Sequence, residues 1–184
     1  MKLIVRIYFI LLSVALNCLA QWSDVTSDPV NHFKGFYEMS DVVKILKLEV
    51  DINNDGLKEI FLAPVQADDE GNGESWLVYI GKPNGNYMLA GQRTETGINP
   101  NVGVGFKRDQ YKVGWIPEIN AYGLLHLVCG RGGQALCQLM AIVIDGDAWK
   151  EIPIGEPVNA EQNYDQLAER FTTPPTPAVQ ELNP

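Results

Sequence analysis

The stretch DINNDGLKE, residues 51–59, sets oxygen-bearing side chains at its first, third, fifth and ninth positions and a glycine at its sixth. Alternate spacing turns Asp51, Asn53 and Asp55 toward one side, and Gly56 tolerates the positive φ of a sharp turn. Leu57 can offer its backbone carbonyl, and Glu59 can close the ring. Calcium takes about six to eight hard oxygen ligands at roughly 2.3–2.6 Å. The spacing therefore predicts a Ca²⁺ loop held by Asp51, Asn53, Asp55, Leu57 and Glu59. Its role would be structural, because the cation neutralises three mutually repelling carboxylates and ties two strands together. A solvated Asx turn uses the same residue types and stands beside the cage as the alternative.

Other chemistry is sparser. Cys129 and Cys137 flank a glycine-rich turn, and cross-strand pairing would bring them to bonding distance as a disulfide. The alternative, a catalytic or metal-binding cysteine beside His126, lacks the further His or Cys ligands that zinc requires. His126 sits in an apolar run and shares a face with Leu124 and Val128, which suits a strand histidine with a partner. With two histidines in the chain, a His-based triad is hard to build. No Gly-x-Ser-x-Gly elbow, phosphate loop or His-Glu-x-x-His occurs. The acidic run Asp68, Asp69, Glu70 and Glu74 reads as a solvated loop rather than a metal cluster. Trp22, Trp76, Trp115 and Trp149 could line a sugar- or peptide-binding face, but in a β protein they more often pack core and edges.

The elements that must position these groups are strands. "VVKILKLEV" (42–50) and "EIFLAPV" (59–65) flank the acidic loop. "SWLVYIG" (75–81) and "YMLAGQ" (87–92) enclose "KPNGN", whose proline and Asn-Gly predict a hairpin turn. Two short strands are expected within 104–116. "YGLLHLVCG" (122–130) and "ALCQLMAIVI" (135–144) form a second hairpin, and "DGDA" turns into "WKEIPI" (149–154). Residues 21–40 read as a lead-in with one short strand. Asn159 and Gln162 form a capping box ahead of a helix over 160–171. The fold class expected is mainly β, built of antiparallel hairpins or a meander (propeller-blade-like or a small sandwich), with a short C-terminal helix.

"LEVDINNDGLKEIFL" (48–62) resembles the FG-GAP/VCBS type of repeat, in which an Asp-x-Asn-x-Asp-Gly-x-x-acid loop lies between two strands. An EF-hand is excluded, because its twelfth position needs an acid and here carries Leu62. The resemblance implies Ca²⁺ on Asp51, Asn53, Asp55 and Glu59 through side chains, and on Leu57 through its carbonyl. "GESWLVYIGKPNGNYMLAG" is similar to uncharacterised bacterial exported proteins that carry one such loop before a Trp-bearing hairpin. FG-GAP repeats usually occur in sevens as propeller blades, and one full motif is present here. "VIDGDAWKEIPI" (143–154) echoes it but keeps only Asp145 and Asp147, which favours a plain hairpin.

The N-terminus sets the expected compartment. Lys2 and Arg6 precede an apolar run from Ile7 to Leu16, and small residues follow up to Ala20. This reads as a signal peptide over residues 1–20, with lipidation of Cys18 the less favoured reading. The run is short for a membrane span. Residues 21–171 then form one β-rich domain, and the proline-rich 172–184 a disordered tail. Loss of Lys2 and Arg6 takes the formal charge from −9 to −11, which disfavours nucleic acid and anionic lipid. The expectation is an exported, periplasmic or extracellular calcium-binding β-module with a non-enzymatic structural or binding role and a protein or glycan partner. An inhibitor or immunity protein against a secreted hydrolase or effector, and a secreted hydrolase with a structural calcium, are the alternatives.

Overall fold

The computed structural model describes residues 25–37, 39, 42–66, 74–100, 102–130, 136–159, 169–171 and 177–184. Two short elements come first, β1 (Val25–Thr26) and α1 (Pro29–Lys34). The helix follows from its ends. Asp28 caps it by accepting from the Asn31 N–H at 3.1 Å, and Pro29 occupies the first turn, where its missing N–H costs nothing. The expected lead-in thus contains a helix as well as a strand.

The strands follow the β-branched runs. They are β2 (Val42–Val50), β3 (Glu59–Gln66), β4 (Glu74–Gly81), β5 (Tyr87–Thr94), β6 (Gly97–Asn99), β7 (Val104–Phe106), β8 (Tyr111–Ile116), β9 (Ala121–Cys129), β10 (Leu136–Asp145), β11 (Ala148–Asn159) and β12 (Gln180–Leu182). All twelve belong to one mixed sheet that does not close on itself. Its order is β12-β2-β3-β4-β5-β11-β10-β9-β8, with β1 and β6 on β5 and β7 on β4. Neighbours along this path are antiparallel except β5 and β11, where Ala148 and Trp149 pair in parallel with Gly91 and Gln92. The expected hairpins form at "KPNGN", where the Gly85 N–H donates to Lys82 O at 2.9 Å, and at Asp145–Ala148.

Period-two patterning splits the apolar residues between faces. Leu48, Phe61, Trp76, Val78, Leu124, Ile142 and Trp149 join in one core cluster, although they come from both halves of the sheet. Trp76 stacks on Phe106 at 4.7 Å and donates its indole N–H to Phe106 O at 2.9 Å. The other face of β2–β5 buries Ile45, Leu62 and Tyr79 beneath Phe33 of α1. An irregularity between Val42 and Lys44 shifts the register, and a bulge of this kind flips the alternation, so that Val42 joins Ile45 in that second cluster. The far face of β8–β11 buries Ile116, Leu125, Leu139 and Ile154 with Phe171.

Two expectations at the C-terminus change. Glu169–Phe171 is a short 3-10 turn, while 160–168 of the expected helix lie outside the described residues. The tail was expected to be disordered, but Gln180–Leu182 pair antiparallel with Lys47–Ile45. Glu181 lies 2.6 Å from Lys44 and 3.2 Å from Arg108, and Val179 and Leu182 on either side pack against the two buried clusters. The Tyr111 hydroxyl also donates to Pro177 O. No helix among the described residues is long and apolar enough to cross a membrane. The expected signal segment, 1–20, is not among them.

Cys129 and Cys137 pair across β9 and β10 as a disulfide. The chain-entropy picture assigns a loop this short about 2–3 kcal/mol. Replacing both cysteines by alanine should lower the urea-unfolding free energy by that amount, with far-ultraviolet circular dichroism unchanged in native buffer.

Candidate functional site

The acidic loop joins the ends of β2 and β3, where Val50 and Glu59 are paired in register. Its side chains hold its own backbone. Asp51 accepts from the N–H of Asp55 at 3.1 Å and of Gly56 at 2.9 Å. Asn53 Oδ1 accepts from Asp55 N–H at 3.1 Å, and Asp55 accepts from Leu57 N–H at 2.8 Å. Asn53 Nδ2 also donates to the second Asp55 oxygen at 2.9 Å. Gly56 has φ +86° and Asn54 φ +60°, the left-handed region in which glycine and asparagine are the residues tolerated. This much is the network of an Asx turn.

Glu59 departs from that pattern, being fully buried. Its Oε2 accepts from the Ile52 N–H at 2.9 Å, and its Oε1 finds no hydrogen-bond donor among the described residues. Burial pushes its pKa up to about 7, and the negative charges of Asp55 and Asp51 add to the rise. Glu49, by contrast, is held below the usual carboxylate range by Lys47 at 2.7 Å and Lys58 at 3.1 Å. The two acids sit on neighbouring strands, yet only one of them has cations.

The structure brings Asp51, Asn53, Asp55 and Leu57 into one hydrogen-bonded loop and sets Glu59 against Ile52 at its base. Among the described residues no three His, Cys, Asp or Glu side chains converge as a metal centre. The expected cage is therefore not preassembled, because the acids are turned onto backbone N–H groups. The residues nonetheless fit a hard cation: all donors are oxygens, and one buried carboxylate oxygen lacks a partner. Of the acidic run, Asp68, Asp69 and Glu70 lie outside the described residues, while Glu74 pairs with Arg108 at 3.5 Å.

Sequence reasoning missed one positioning residue. A Cβ on Gly81 would lie 2.5 Å from the Lys58 carbonyl oxygen and 3.4 Å from the Leu57 side chain. The glycine at the end of β4 thus admits the loop against the sheet, a contact between segments far apart in sequence. His126 is buried with Nε2 2.8 Å from Glu151, at ion-pairing distance but without the alignment of a hydrogen bond. Trp76 and Trp149 belong to the core, Trp115 is exposed, and Trp22 lies outside the described residues. Together these define a mixed-sheet protein with an acidic strand–loop–strand turn closed by a buried glutamate. Comparison of the chain with protein-family models, curated proteins and solved structures finds no match.

The pH dependence has a fixed sign. A carboxyl whose folded pKa lies above the unfolded value favours the folded state when protonated. With a chelator present, its contribution is complete below about pH 4.5 and is lost as pH rises through about 7. The loss is on the order of 3 kcal/mol. Wild type and Glu59→Gln should diverge by that amount between pH 4.5 and 8 in urea titrations; parallel curves would show that Glu59 does not titrate in this way.

Proposed function

We propose that the chain is an exported calcium-binding β-module in which Asp51, Asn53, Asp55, Glu59 and the Leu57 carbonyl hold Ca²⁺ in a strand–loop–strand turn. The observation that carries this reading is the Glu59 carboxylate, buried with one oxygen unpartnered beside Asp51 and Asp55. A divalent cation bound there would replace the proton that burial otherwise demands. Its work would be to fix the β2–β3 junction, and through Gly81 the end of β4. The resemblance to an FG-GAP/VCBS-like loop supports the same ligands, and the Cys129–Cys137 disulfide supports an oxidising compartment. The shared core between the two halves of the sheet favours a sandwich-like arrangement over a propeller blade. The role is structural or binding, with no catalytic group assigned.

Calcium binding to the folded chain should raise its melting point. At a hundredfold excess over Kd the gain is about 2.7 kcal/mol, on the order of 5–10 °C for a domain of this size. Asp55→Ala should remove the calcium-dependent shift. Gly81→Ala should reduce it without replacing a ligand, because the added Cβ would press on Lys58 O and Leu57 and the loop must move away from β4. Differential scanning calorimetry with calcium and with chelator checks both, and a wild-type melting point indifferent to about 10 mM calcium would leave the loop a polar turn.

A further inference from the structure

The C-terminal strand is held to the body by little. β12 pairs with Ile45, Leu46 and Lys47 of β2, and the sequence stops soon after it. Its ion pairs, Glu181 with Lys44 at 2.6 Å and with Arg108 at 3.2 Å, join half-exposed side chains, where solvent offsets most of what a pair gains. Val179 and Leu182 only partly enter the two buried clusters, and Gln180 and Glu181 are exposed. The edge beneath is the opposite. Ile45, Leu46 and Leu48 are fully buried, and β3 pairs with β2 along its length on the other side. A rigid edge thus carries a strand that binds by a few pairs near a chain end, the kind of element that opens at least cost.

The strand seated on this edge defines what the edge accepts. It is an extended segment whose acid, Glu181, meets Lys44 and Arg108, with Val179 and Leu182 as apolar residues on either side. The Tyr111 hydroxyl takes the start of the segment by donating to Pro177 O. None of these contacts requires the segment to come from the same chain. The sequence leading into it, TTPPTP (172–177), carries Pro174, Pro175 and Pro177. Proline fixes its own φ and biases the residue before it toward extended backbone. Proline-rich sequences therefore act as semi-rigid spacers, which lose little by reaching outward instead of folding back. Every copy of the chain carries this same fitted segment, and exchange of an identical element is a low-cost route to a dimer.

We propose that β12 is an exchangeable strand and that the β2 edge is an interface between two copies of this chain, each laying its C-terminal strand on the β2 of the other in a symmetric dimer. Closed and exchanged forms make the same contacts, so concentration decides between them. The crossover lies where the protein concentration matches the effective concentration of a tethered strand, on the order of mM. The closed monomer is the form of dilute solution, and the exchanged dimer gains wherever copies are crowded or held together. The interface is separate from the calcium loop and does not require it to be loaded.

Two charge reversals test it in the full chain. Glu181→Lys sets a tail against the cations of its own edge, and Lys44→Glu sets an edge against the acid of its own tail. Each variant alone repels both closure and exchange with its own kind. Mixed one to one, each tail meets an edge of opposite charge on the other variant. Size-exclusion chromatography with light scattering should show each variant alone as a monomer at about 100 µM and the mixture as a dimer. The wild type should be monomeric at about 10 µM and partly dimeric near 1 mM, and an excess of the free peptide PAVQELNP should return that dimer to monomers. Both substituted positions are exposed, so circular dichroism should match the wild type, and the wild-type arm stands without the variants. A wild type and a mixture both monomeric at about 1 mM would overturn the proposal. So would either variant dimerising alone as fully as the mixture, or a wild-type dimer indifferent to the peptide, since the interface would then lie elsewhere.

Discussion

The structure depends on what satisfies one buried carboxyl group. Glu59 opens β3 opposite the last residue of β2, and its bond to the Ile52 N–H closes the loop between them. Ile52 and Ile60 on either side are buried, so Glu59 cannot swing into solvent without uncovering them. Leaving an ion unpaired in such a place costs several kcal/mol. The junction of β2 and β3 therefore needs a proton or a cation on this group.

From that junction the sheet grows in both directions. Leu48, Phe61 and Trp76 from the first half meet Leu124, Ile142 and Trp149 from the second in one cluster. The halves are coupled through the short parallel pairing of β5 with β11 and through side chains, with Phe106 of β7 touching Phe61, Trp76 and Tyr111. Apolar burial stabilises by about 25 cal/mol per Å², so these aromatic residues outweigh any single surface ion pair, which contributes about 0–1 kcal/mol. The C-terminal strand follows the same order, with Val179 and Leu182 packed against the two clusters and Glu181 adding ion pairs at the surface.

The sequence made local features legible and non-local ones obscure. The strand at 42–50, the turn at "KPNGN" and the hairpin carrying Cys129 and Cys137 depend on period-two patterning and on turn residues within a few positions. They stand where they were expected. The helix Pro29–Lys34 is too short for a helical period, and only its Asp28 cap and proline announce it. β12 pairs with a strand more than a hundred residues earlier, and its proline-rich approach looks like a disordered tail. At the site, the spacing of Asp51, Asn53, Asp55 and Gly56 named the loop. The burial of Glu59 and the clearance at Gly81 depend on β4 and could not be read from the loop alone.

A polar turn and a cation loop place different demands on these residues. A turn needs Asp51, Asn53 and Asp55 as acceptors of nearby N–H groups, and each has that role here. It needs nothing from Glu59 beyond one acceptor for Ile52, which a glutamine would supply without a charge to bury. The second oxygen of Glu59 lacks a partner, and Lys58, the adjacent cation, reaches Glu49 instead. An acid in that position, buried and turned away from the nearest lysine, carries a cost that a proton or a bound cation would remove. The loop's hydrogen bonds account for three of its acceptors, and the proposed cation would give the fourth a reason to be a carboxylate.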